Sequence, residues 1–201
     1  MSKLIAFGDS FTYGHWLDIT DKLPSKSAWP SLLGNILGIE TINKSVPGYS
    51  NIQILKDILT SPDIQAGDTV IVGWTYSLRD YIFRKNLLNM DTSIQVSPWH
   101  ENKKFVKQWA TVHNDYDLSI RAGLYINHAE CYLKIKPIKQ FHFCAYQGFF
   151  QVLPEFIVRP ENFIKQVVLP RIDKALDNEH PGRLSHKQAA ETLYKILNDT
   201  K

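Results

Sequence analysis

Three side chains of this sequence could together make an activated nucleophile: a serine at a turn, a histidine in front of a proline, and an aspartate three residues before that histidine. Ser10 lies in "LIAFGDSFTYGHW" (4–16), where an apolar run passes straight into Gly-Asp-Ser. A serine hydroxyl attacks a carbonyl only when a base takes its proton and a third group orients the base. "DNEHPG" (177–182) offers both partners. Pro181 biases His180 toward extended backbone and a loop position. Asp177, at that spacing, can reach back to one ring nitrogen and leave the other to receive a proton. Each feature also has a plain structural reading: Asp9 or Ser10 caps a helix, Asp177 is a turn residue, and His180 is exposed.

The other histidines fit less well. His15 has no carboxylate at a useful spacing before it, His142 alternates with Phe141 and Phe143 in a strand pattern, and His186 falls inside the last helical pattern. His100, His113 and His128 lie in a long irregular stretch or mid-helix, and no pair has metal-ligand spacing, so zinc chemistry is disfavoured.

Four segments taken together, "FGDSFTYG", "NKSVPGYSN", "GWTYS" and "DNEHP", resemble the motifs of the SGNH hydrolases, or GDSL-type esterases, in their order and spacing along nearly the whole chain. The resemblance implies that Ser10 is the nucleophile and that Asp177 and His180 complete a triad. It also implies that the backbone N–H groups of Ser10 and Gly48 bind the oxyanion, with Asp9 bracing the turn that holds Ser10. A glycine at 48 suits close backbone approach to a ligand. The third motif departs from the family's Gly-x-Asn-Asp: Thr75 stands where the asparagine amide is expected. Its hydroxyl, or else Tyr76 or Ser77, is the expected third donor. Asn43 and Asn51 read as turn and cap residues, and Arg79 with Asp80 as a local ion pair, the alternative being Arg79 reaching an anionic substrate. The implied activity is a serine esterase acting through an acyl-enzyme on a short O-acyl ester, for which carbohydrate-linked acetyl is a common family substrate. An O-acyltransferase and a catalytically weakened carbohydrate-binding relative are the alternatives. The expected partner is a small-molecule or glycan ester, and no cofactor is required.

The elements that must position these residues alternate. "KLIAF" (3–7), "ETINKS" (40–45), "DTVIVGW" (68–74) and "QFHFCAY" (140–146) read as strands. "SAWPSLLGNILG" (27–38), "SNIQILKDILTS" (50–61, with Ser50 as N-cap) and 115–136 carry apolar residues at helical spacing. The last helix has Ser185 and Gln188 as a capping box. "EFIVRP" (155–160) is either a further strand or a loop before a helix starting near Glu161. Such alternation predicts a parallel sheet covered on both faces, with the ligand site at the strands' C-terminal edge. Ser10, Gly48 and Thr75 all follow strands. With the resemblance, the expected fold is a three-layer α/β/α flavodoxin-like sandwich around a mostly parallel sheet of about five strands, in one domain. Residues 75–114, rich in Trp and Lys, form an insert whose Trp74, Tyr81, Trp99 and Trp109 build either a cover for the site or a second layer of core.

Composition supports an ordinary globular chain of 201 residues with 44% hydrophobic and 21% charged residues. A formal charge of +3, with its lysines interleaved among apolar residues, gives no phosphate track, so nucleic acid is not an expected partner. Two cysteines, Cys131 and Cys144, are too few for a disulfide framework and read as buried thiols. Neither a signal-peptide core nor an apolar run of membrane-spanning length appears. The expected compartment is the cytoplasm.

Overall fold

The computed structural model describes residues 2–19, 22–83, 93–98, 100–145, 162–164 and 168–199. Its centre is a parallel sheet built from β1 (Lys3–Phe7), β2 (Glu40–Asn43), β3 (Thr69–Trp74) and β6 (Lys139–Cys144), in the order β2-β1-β3-β6. A hairpin of β4 (Asp80–Ile82) and β5 (Ile94–Val96) lies apart from it. The helices are α1 (Ser10–Tyr13), α2 (Trp29–Leu37), α3 (Asn51–Thr60), α4 (Lys103–Ala110), α5 (Asp115–Lys134) and α6 (Arg183–Asp199). The expected α/β sandwich is the observed one. A fifth strand position is marked beyond β6 by a parallel bridge between His142 and Phe163, with His142 N–H donating to Asn162 O at 3.1 Å and Ile164 N–H to His142 O at 2.8 Å. Phe163 is therefore bridged to the sheet edge, and residues 162–164 are not helical, where the sequence allows a helix starting near Glu161. The candidate strand 155–160 lies outside the described residues.

Alternation along β1 and β3 explains the three layers. Leu4, Ala6 and Ile71 face α2 and α6, while Ile5, Phe7, Val70 and Val72 face α3 and α5. Both sheet faces are dry, which is why these strands are continuous apolar runs. No helix among the described residues is long and apolar enough to cross a membrane.

Three local expectations need correction. Ser185 is no cap: α6 begins two residues earlier, and the Ser185 hydroxyl donates to Asp173 Oδ1 at 2.7 Å. The helix start is served instead by Asp173, whose carboxylate accepts from the N–H groups of Leu184 (3.0 Å) and Ser185 (2.9 Å). Burial alone would raise the Asp173 pKa, but these bonds hold it below the usual carboxylate range. Cys131 is exposed on α5 rather than buried. Within 75–114 lie the hairpin and α4; α4 is a short amphipathic helix, with Phe105, Val106 and Trp109 half-buried on one side and no residue fully buried.

Candidate active site

Strand β1 delivers Ser10 to the sheet's C-terminal edge through a turn that tolerates only glycine at its start. A Cβ on Gly8 would sit 2.3 Å from Thr12 Oγ1 and 2.9 Å from the Gly73 carbonyl of β3. Asp9 then caps α1, its Oδ1 accepting from Phe11 N–H at 3.0 Å. Ser10 is the first residue of α1, and 5% of its surface is exposed.

The second component is the loop 173–182, folded back on itself by an antiparallel bridge between Lys174 and Pro181. Ala175 N–H donates to His180 O at 2.9 Å and Gly182 N–H to Asp173 O at 2.9 Å. Asn178 turns the loop in the left-handed region, with φ of 62°, which Asn accepts more readily than most residues. Asp177 Oδ1 accepts from the N–H groups of Glu179 (3.0 Å) and His180 (3.1 Å), and its Oδ2 accepts from His180 Nδ1 at 2.5 Å. His180 Nε2 lies 3.0 Å from Ser10 Oγ. With Nδ1–H facing a carboxylate, Nε2 is the acceptor for the serine proton. Partial burial pushes the Asp177 carboxyl up, but the His180 ring and the two backbone donors outweigh that and hold it below the usual range. The imidazole is also fixed sideways: ring centroids of Phe11 and His15 lie 5.5 and 5.2 Å from it. Ser10, His180 and Asp177, up to 170 positions apart, thus form one hydrogen-bonded chain.

Gly48 sits in the β2–α3 connection. Tyr49 N–H bonds to Val46 O at 3.2 Å and Gly48 has φ of 85°, the conformation a turn with Pro47 before it requires of glycine. Bonds from Lys44 N–H to Ala6 O (2.8 Å) and from Val46 N–H to Gly8 O (3.2 Å) dock this connection along the exit of β1, beside the Ser10 turn.

Thr75 behaves differently from the expectation. It is buried, and its hydroxyl donates to Asp9 Oδ2 at 2.5 Å, so its proton is turned inward to the Asp9 carboxylate. The reason is Asp9, which is fully buried and needs donors. Arg79 supplies another: its Nη1 lies 3.2 Å from the same oxygen, 3.2 Å from Tyr49 O and 3.3 Å from Thr75 Oγ1. The expected Arg79–Asp80 pair is therefore replaced. Arg79 turns to Asp9, and Asp80 faces Arg121 at 3.8 Å. Asn51 is likewise not the cap, which is Ser50; its amide brackets residue 75, accepting from Thr75 N–H at 2.9 Å and donating to Thr75 O at 3.2 Å. Asn43 does hold a turn, its Oδ1 accepting from Ser45 N–H at 3.1 Å.

In front of Ser10 and His180 opens a cavity of about 700 Å³. Tyr76, Arg79, Gln95 and Ser97 of the insert form one wall, and Arg171 to Lys174 with Asn178 and Glu179 form another. The insert thus borders the site with the hairpin, while Trp74, the last residue of β3, goes to the core, stacked on His142 with an interplanar angle of 8°. Trp109 packs against His113 on the outer side, and Trp99 is outside the described residues. The sequence reading missed Gln95. Its side-chain amide donates to Gly48 O and lies over the Gly48 Cα, 3.6 Å from where a Cβ would be. No local signal marks it, because the hairpin that carries it is only three residues long on each side.

No family model and no curated protein matches the chain. Solved structures do. A protein assigned to the G-D-S-L lipolytic family from Desulfitobacterium hafniense DCB-2 superposes with a TM-score of 0.52 at 15% identity, over 98% of this chain and 99% of that one. Est24, a carbohydrate acetylesterase from Sinorhizobium meliloti, gives 0.57 at 10% identity over the full length of both. A carbohydrate esterase family 2 enzyme with a carbohydrate-binding domain, from Corynascus thermopiles (Myceliophthora fergusii), gives 0.61 at 12% identity over 98% of this chain and 66% of that one.

Proposed function

We propose that this chain, whose fold is that of the SGNH (GDSL-type) hydrolases, is a serine esterase that removes short acyl groups from a polar, carbohydrate-like alcohol. The observation that carries the reading is the unbroken path from Ser10 Oγ to His180 Nε2 at 3.0 Å and from Nδ1 to Asp177 at 2.5 Å, at the edge of a cavity. The polar and charged residues that make up most of that cavity's lining, and a volume beyond that of a short acyl group, favour a hydrated alcohol over a long acyl chain. The kinship in fold to carbohydrate acetylesterases points the same way.

In this mechanism Ser10 Oγ attacks the ester carbonyl carbon as its proton passes to His180 Nε2. Asp177 remains ionised and stabilises the imidazolium. The carbonyl oxygen becomes an oxyanion held by the N–H groups of Ser10 and Gly48. Collapse breaks the bond to the alcohol, which leaves with the proton from His180. Water then attacks the acyl-enzyme, gives a proton to His180, and the acid departs as Ser10 recovers its proton. Asp9, Thr75 and Arg79 act behind this site, holding the serine turn and the residue-75 loop in register.

Gln95 takes the part of third oxyanion donor. A primary amide has two N–H donors; one serves Gly48 O, and the second serves the charge that develops beside Gly48. Replacing Gln95 by leucine is expected to lower kcat on p-nitrophenyl acetate about 100-fold with little change in KM, as losing one oxyanion donor does elsewhere. A change below 3-fold in steady-state kinetics would remove Gln95 from the mechanism. The function itself is tested by incubating the protein with acetylated sugars and with an organophosphonate, then mapping the adduct by mass spectrometry. Released acetate and an adduct on Ser10 are expected. Neither turnover nor labelling across several acyl lengths defeats the reading.

A further inference from the structure

The cavity wall opposite the hairpin carries charge that the mechanism above does not use. Arg171 is exposed and its guanidinium lies 5.4 Å from the centroid of the Phe11 ring, the same ring that flanks His180 at 5.5 Å. Lys174, also exposed, borders the same cavity from the strand-like arm of the 173–182 loop. Among the described residues no carboxylate pairs with either cation. Most other charges around the cavity are committed. Arg79 is bound to Asp9 at 3.2 Å, Asp173 caps α6, and Asp177 holds His180 at 2.5 Å. What remains is two cations against Glu179, which is exposed on the same wall.

We propose that the substrate is an anionic ester, bearing a carboxylate, sulfate or phosphate that is bound by Arg171, with Lys174 in support, next to Phe11. This rests on the esterase reading and narrows its substrate class. A planar guanidinium steadied on an aromatic face is well arranged to take an oxyanion through two parallel N–H bonds. The Phe11 ring, one residue from Ser10, sets the distance between that anion and the reacting carbonyl to a span within one small molecule. An acylated acidic sugar has this layout, and so does an ester whose acyl part ends in a carboxylate.

Two matched pairs of esters separate these sources. On the acyl side, mono-p-nitrophenyl succinate is compared with p-nitrophenyl butyrate; on the alcohol side, 3-carboxyphenyl acetate with phenyl acetate. The wild-type protein is expected to favour the anionic member of one pair about 10-fold in kcat/KM, with the preference shrinking as salt is raised to about 0.5 M, where the Debye length falls to a few ångströms. In Arg171→Gln the anionic-to-neutral ratio is expected to drop to about 1, in Lys174→Gln to an intermediate value, and in Glu179→Gln to rise. Because each ratio is taken within one protein sample, partial misfolding does not imitate the result. Hydrolysis of the neutral esters with no preference for the anionic ones, or a preference that survives both Arg171→Gln and Lys174→Gln, overturns the anionic subsite and leaves the esterase standing. Hydrolysis of none of the four overturns both.

Discussion

Ser10→Ala is expected to reduce kcat/KM on p-nitrophenyl acetate by a factor on the order of 10⁴ to 10⁶, with the melting temperature shifted by no more than a few degrees. The size follows from the geometry. Removing the hydroxyl removes the nucleophilic atom 3.0 Å from His180 Nε2, and hydrolases that lose one triad member keep only what binding and the oxyanion donors supply. The stability cost is small because one oxygen is deleted from a residue at the cavity edge, while the Asp9 cap and the Gly8 packing stay intact. His180→Ala should lose a similar factor, and adding it to Ser10→Ala should cost almost nothing more, since both act in one step. Asp177→Asn should lose about 10⁴-fold while keeping the loop, since an amide oxygen still accepts from Glu179 and His180 N–H but favours the wrong imidazole tautomer. Retention of more than a tenth of the activity in Ser10→Ala, in a sample shown by mass spectrometry to be free of wild type, would mean that another group is the nucleophile.

How far such a site can be read from sequence depends on which contacts are local. The strands β1 and β3 were legible because both faces are buried, which writes continuous runs such as Leu4 to Phe7 and Val70 to Val72. Asp177 and His180 could be paired on paper because three positions separate them in one loop, and their junction with Ser10 followed from the edge rule for parallel sheets. What was not legible is long-range and polar. Thr75 was expected to face substrate, yet the buried Asp9 carboxylate, 66 positions away, claims its hydroxyl. Arg79 has an acidic neighbour at Asp80 and takes a partner 70 positions away instead. Ser185 has the residue type and spacing of a cap, but a better acceptor, Asp173, arrives from the preceding loop. In each case a carboxylate, the buried Asp9 or the half-buried Asp173, chose its donors by proximity in space, and spacing along the chain holds no trace of that choice. The exposed α4 was missed for a different reason: its apolar side, Phe105, Val106 and Trp109, belongs to a helix of 8 residues that buries none of them completely, too short for its period to stand out.

The same preference for buried polar partners makes the fold sensitive to acid, and here the expected loss is large. His142 is completely buried in β6. Its Nδ1 accepts from Trp74 Nε1 at 3.2 Å and its Nε2–H donates to Gln140 Oε1 at 3.1 Å, so the neutral ring satisfies both nitrogens. His186, 1% exposed on α6, uses Nδ1 to accept from Trp29 N–H at 3.1 Å, one of the unpaired donors at the start of α2. Burial pushes His142 down to about 3 and His186 to about 4, from an ordinary 6.5. A histidine whose pKa falls on folding takes up a proton in the unfolded chain first. Its stabilising effect is therefore complete above pH 6.5 and is lost as pH falls toward the folded value. At pH 4 each of the two costs about 3 kcal/mol, and near pH 5 the unfolding free energy should fall by roughly 2 to 3 kcal/mol per pH unit, the slope for nearly two protons. The lowered carboxyls of Asp173 and Asp177 add their own loss as pH falls through their ordinary pKa of 3.8, where it overlaps the lower end of the histidine window, so the range above about pH 5 reports the histidines. Urea unfolding between pH 7 and 4.5 measures the slope. His186→Asn, whose side-chain oxygen can still accept from Trp29 N–H, should halve it near pH 5 at a modest cost at pH 7. A slope unchanged in that variant, and in His142→Gln, would mean that these rings do not set the acid limit of the fold.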